Sequence, residues 1–114
     1  MQNHEWVESI NASMMVTDTD GVIIDMNETA ATTFADDGGW TLMGKNMTDC
    51  HSAHSNEIIQ HLLQNGETNV YTIEKKGKKK LVYQTPWFTA EGKVSGLVEI
   101  SVVVPPDMPH FKRD

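Results

Sequence analysis

The chain reads as short apolar patterns separated by turn chemistry. Glu5-Trp6-Val7-Glu8-Ser9-Ile10 places Trp6, Val7 and Ile10 at helical spacing, which predicts a short amphipathic cap within residues 1–10. Two β-rich runs, 12–17 and 22–26, flank Asp18-Thr19-Asp20-Gly21, and Asp-Gly between such runs predicts a hairpin. Alternation groups Met14 with Val16, and Val22 with Ile24 and Met26. Asn27 is a natural N-cap for the short helix ETAATTF, which Asp36-Asp37-Gly38-Gly39 breaks. Ser55 is the expected N-cap of the next helix, with Glu57 in its first turn. Ile58, Ile59, Leu62 and Leu63 form its apolar stripe, and Gly66 is its stop. Three strands are expected over 68–74, 81–87 and 94–104, with turns at the lysine-rich 75–80 and at 89–93. Pro105 and Pro106 end the last strand, because proline cannot continue a ladder.

Strands, then helices, then strands predict an α+β fold: an antiparallel sheet with helices over one face. The expected organisation is a helical cap over 1–10, one domain over 11–104 and a tail over 105–114.

Composition narrows the function. A chain of 114 residues supports one modest core. A net charge of -7 argues against nucleic acid or an anionic membrane as the main partner. Lysines 75, 76, 78, 79 and 80 lack interleaved aromatics, so they read as a solvated hairpin that protects a sheet edge. The single cysteine forms no internal disulfide, and no apolar run reaches the length of a membrane span. The expected location is the cytoplasm.

One stretch concentrates candidate chemistry. Residues 50–61, CHSAHSNEIIQH, hold Cys50, His51, His54 and His61. Cys50, His51 and His54 offer three ligands where a structural zinc site needs four, in no standard spacing. The plainer reading is a polar entry into a helix. No nucleophile–base arrangement or tuned carboxylate pair suggests an enzyme. Asp18, Asp20 and Asp25 fit the hairpin and a solvated sheet edge.

The order of these segments resembles the PAS domain family. MMVTDTDGVIIDMNETAA is similar to that family's opening hairpin, Asn and small-residue helix. LMGKNMTD is similar to its Gly-containing stretch before the long helix. IIQHLLQNGETNVYTIEKKGKKKLVYQTPWFTAEGKVSGLVEIS is similar to its closing half. The resemblance spans roughly residues 9–103 and implies a five-stranded antiparallel sheet with helices cupped over one face.

It also implies a sensory or dimerisation module, joined to or acting on an output such as a histidine kinase, cyclase or transcription regulator. The chain is either a stand-alone module or a piece of a larger protein. Alternation and the resemblance together place a mostly apolar ligand cup at Met14, Met26, Ile59, Leu63, Tyr71, Tyr83, Thr85 and Val98, with Gln84 among its polar contacts. The cofactor expectation is none, with two alternatives. Haem would be held through His61, or less readily His54. Helical geometry, however, turns His61 about 130° from the centre of the apolar stripe. Flavin would use Cys50, whose DCHSAHS context differs from light-sensing relatives. Trp6, Val7 and Ile10 are the expected homodimer contacts, and a ligand-free interaction module is the other reading.

Overall fold

The computed structural model describes residues 4–47 and 52–114. The elements are α1 (Glu5–Ser9), β1 (Ser13–Asp18), β2 (Ile23–Met26), α2 (Glu28–Thr33), two 3-10 turns (Ala35–Asp37 and Gly39–Leu42), α3 (Ala53–Asn65), β3 (Asn69–Lys75), β4 (Lys78–Phe88) and β5 (Val94–Val104). The five strands form one antiparallel sheet in the order β2-β1-β5-β4-β3. This is the α+β architecture expected.

Local chemistry explains most boundaries. The Asp18 carboxylate accepts from the backbone N–H groups of Asp20 and Val22, at 2.9 and 3.0 Å, and closes the first hairpin. Gly21 completes that turn at φ 86°. Gly66 ends α3 in the left-handed conformation, and its N–H bonds to Leu62.

Three local expectations are corrected. The cap of α3 is Ser52, whose side chain accepts from Ser55 N–H at 3.1 Å. The helix therefore starts three residues earlier than expected, and Glu57 lies beyond its first turn. The second hairpin turn is only Lys76-Gly77, because Lys75 pairs with Lys78. Both turn residues have positive φ, 53° and 74°, so Lys78–Lys80 belong to the strand. In β2 the register slips: Val16 pairs with Asp25 but Thr17 pairs with Ile23. Ile24 is the extra residue of this bulge, so Ile23 and Met26 share the buried face while Ile24 is exposed.

Asn27 ties the N-terminal elements together. It is 1% exposed, and its Oδ1 accepts from Met14 N–H and Ala30 N–H at 3.0 and 2.9 Å. Its Nδ2 donates to the carbonyls of Val7 and Ala12 at 2.7 and 2.9 Å. One side chain thus joins α1, the start of β1 and α2. Gly96, at φ 155°, does the same for the sheet: the Trp87 indole crosses it to donate to the Thr17 carbonyl at 2.9 Å.

The core sits between the sheet and α2, the 3-10 turns and α3. Met15, Ile23, Met26, Ala30, Ala31, Leu42 and Met47 form one cluster with Phe34 against it. Leu62 of α3 and Leu97 and Val82 of the sheet are also buried.

Candidate functional site

The pairing register decides which side chains share the helix-covered face. Asn69 pairs with Gln84, Gln84 with Glu99, and Glu99 with Met15. Side chains of directly paired residues lie on the same side of a sheet. A polar row therefore crosses the floor of the cup from β3 to β1. Asn69 Nδ2 donates to Gln84 Oε1 at 3.2 Å, and Gln84 Nε2 donates to Glu99 Oε2 at 2.9 Å. Gln84 is 4% exposed.

Two hollows flank the Gln84–Glu99 pair. One, of about 350 Å³, is lined by Ser55, Ile58, Asn69, Tyr71 and Gln84. The other, of about 370 Å³, has apolar walls of Met15, Ile23, Phe34, Leu42 and Met47, with Asp37, Lys45, Asn46 and Glu99 as its polar groups. Both volumes fall at the low end of the range of small-molecule sites. Burial, and then the charge of Glu99, hold the Tyr71 hydroxyl above its ordinary pKa.

The eight residues expected to line one cup are divided between the two faces. Met26 belongs to the core cluster, and Tyr71 lines the first hollow. Ile59 and Leu63 meet Thr17 and Leu97 in a narrow, nearly filled cleft under α3. Met14, Tyr83, Thr85 and Val98 lie on the opposite face. Met14 and Tyr83 both pair with Ile100, and Thr85 pairs with Val98, which pairs with Val16. Met14, Val16 and Val98 line a small cleft there with Val7 and Glu8 of α1.

Asn69, Glu99, Ser55 and the apolar wall of the second hollow were missed. Hydropathy gave the wrong signal. Val98, Ile100 and Val102 are the more apolar alternation of β5, yet they face away from α3. The signal that finds the row is three uncharged or acidic polar residues meeting at paired positions 69, 84 and 99.

Of the expected dimer contacts, Trp6 is 60% exposed, while Val7 and Ile10 are half-buried. Val7 faces the sheet cleft.

His61 points away from the cup. Its side chain is 62% exposed, pairs with Glu67 at 3.4 Å and contacts Asn65. The surface beside it is lined by Ala53, Asn56, Glu57, Gln60 and Gln64, which offer no apolar walls for a macrocycle. These residues do not fit a haem. His54 is also exposed. Cys50 and His51 lie outside the described residues. Among the described residues no three His, Cys, Asp or Glu side chains are grouped to hold a metal.

A family profile described as the PAS fold matches residues 7–105. The chain belongs to the PAS family. Its fold is similar to a sensory box sensor histidine kinase structure from Vibrio cholerae, with TM-score 0.67 and 17% identity over 89% of this chain and 88% of that one. It is similar to a PAS domain from Colwellia psychrerythraea, with TM-score 0.67 and 17% identity over 88% and 92%. It is also similar to the Aer2 receptor of Vibrio cholerae, described as a dual PAS-heme oxygen sensor, with TM-score 0.65 and 19% identity over 82% and 95%. No curated protein matches the chain significantly in sequence. No helix among the described residues is long and apolar enough to cross a membrane.

Proposed function

We propose that this PAS chain is a non-enzymatic sensory module that binds a small ligand in the cup between the sheet and its helices. The observation that carries this reading is the pair of hollows around Gln84 and Glu99. The buried Gln84 and the half-buried Glu99 meet apolar walls there, the usual composition of a site that both holds and orients a small molecule. Ligand binding would act through its differential affinity for two arrangements of the cup. Asn27 couples that cup mechanically to α1, since it bonds to α1, β1 and α2 at once. The output is a signalling partner or domain of the histidine kinase, cyclase or transcription-regulator type, as in structural neighbours described as sensor kinases.

A melting-temperature screen against small molecules tests this. Ligands that raise the melting temperature should lose their effect in Gln84→Leu and keep it in Tyr83→Ala. The reverse pattern would move the site to the other face of the sheet.

A second reading is supported by that other face. Leu81, Tyr83, Val98, Ile100 and Val102 make it apolar, and α1 covers only its Met14–Val98 end. A second copy docking there, beside Trp6, would make the chain a homodimer. Sedimentation of the full chain should show a dimer that Tyr83→Glu converts to monomer. A monomeric full chain would sink this reading.

A further inference from the structure

We infer that the cup selects ligands that donate hydrogen bonds and carry positive charge: small amines with an apolar body. This rests on the cup being the ligand site. The ionised carboxylate of Glu99 only accepts hydrogen bonds. Its partner Gln84 must therefore present its NH₂ to Glu99, which turns the Gln84 carbonyl oxygen toward Asn69. Asn69 must in turn present its own NH₂ to Gln84. The orientation of both amides is thus set by the charge at one end of the row. One N–H of the Gln84 amide and one of the Asn69 amide are spent inside the row. In the second hollow, which neither amide lines, the row presents to a ligand the second oxygen of Glu99, an acceptor only.

The surroundings support the same class. Glu99 is half-buried and has no cation within ion-pair distance among the described residues. Lys45 and Asp37, both exposed, bring one charge of each sign to the same hollow, which leaves Glu99 as its half-buried charge. The remaining walls, Met15, Ile23, Phe34, Leu42 and Met47, are apolar. A hollow with apolar walls and a carboxylate that has no ion-pair partner among the described residues suits an apolar body ending in an ammonium or amidinium group. Charge-assisted bonding to a partly desolvated carboxylate is stronger than a neutral contact. A carboxylate or phosphate ligand would meet Glu99 with like charge.

Three probes of one shape separate the possibilities: benzylamine, benzyl alcohol and benzoate. Each is titrated into isotope-labelled full chain and followed by amide resonances. Benzylamine should shift Gln84, Glu99 and Met15 and bind about tenfold or more tightly than benzyl alcohol. Benzoate should leave those resonances in place. Glu99→Gln should remove the advantage of benzylamine over benzyl alcohol. If benzyl alcohol or benzoate shifts the same resonances as strongly as benzylamine, the cup stands as a site and the amine class is overturned. If none of the three shifts cup resonances, the ligand-cup reading fails with it. Should Glu99→Gln not fold, the ranking of the three probes on the unaltered chain still decides.

Discussion

Asn27 offers the sharpest test of how the N-terminal elements are held. Viewed only as an N-cap, it is interchangeable with serine or aspartate, which rank close to asparagine at that position. The structure gives it three further bonds besides the cap bond to Ala30, to Met14 N–H and to the carbonyls of Val7 and Ala12. Asn27→Ser keeps the cap but is too short for the other three partners. At about 1 kcal/mol per lost bond, and more where a buried group is left unpaired, the cost is about 3 kcal/mol. Asn27→Asp keeps both acceptor bonds, loses both donor bonds and sets a buried carboxylate against two carbonyl oxygens. Its cost should also be about 3 kcal/mol, with part of it relieved when the carboxyl is protonated. That is a large fraction of a small domain's total stability. Urea unfolding monitored by far-UV circular dichroism reads it. With a slope of roughly 1.5 kcal/mol/M, the midpoint should fall by about 2 M. Amide exchange should also speed up at Ile10, whose N–H bonds to the Trp6 carbonyl and closes the end of α1. A midpoint within about 0.3 M of the unaltered protein for both variants would refute the hub and leave Asn27 a simple cap.

Gly96→Ala should be among the most damaging single changes, since its Cβ would meet the Thr17 carbonyl and the Trp87 indole; an unfolding midpoint like that of the unaltered chain would contradict this close approach. Lys76→Asn should stabilise by a few tenths of a kcal/mol to about 1 kcal/mol, because Lys76 sits at φ 53° in a two-residue turn that favours asparagine; thermal unfolding checks it. Tyr71 should titrate above the usual phenol range by ultraviolet difference absorption, and Glu99→Gln should lower its pKa only part of the way, because burial is the larger cause. Once pH rises past the unfolded phenol pKa, the folded state keeps a proton the unfolded chain has lost. Tyr71 therefore lowers stability with rising pH from there up to its folded pKa, and Tyr71→Phe should flatten that slope.

The element order was legible because each boundary carries its own chemistry: Asp18-Gly21, Asn27, Gly66 and Pro105 act locally. The shift of the α3 cap to Ser52 was not, since two serines three residues apart both suit the position. The facing of the sheet was the larger miss. Period-two alternation says which residues share a face but not which face the helices cover. The more apolar set of β5 lies away from α3, and the cup floor is polar at 69, 84 and 99. A reading that sends the more apolar face inward therefore inverts the central strands. The bulge at Ile24 adds to this, because a one-residue slip reverses every position beyond it. The outward turn of His61 was legible, since helical geometry alone separates it from the stripe at 58, 59, 62 and 63.

The most direct measurement is an amide-resonance map of the full chain against a mixture of small fragments. Shifts should cluster at Ile58, Tyr71, Gln84 and Glu99. Shifts clustered instead at Met14, Tyr83, Thr85 and Val98, or none at all, would contradict a ligand cup on the helix-covered face.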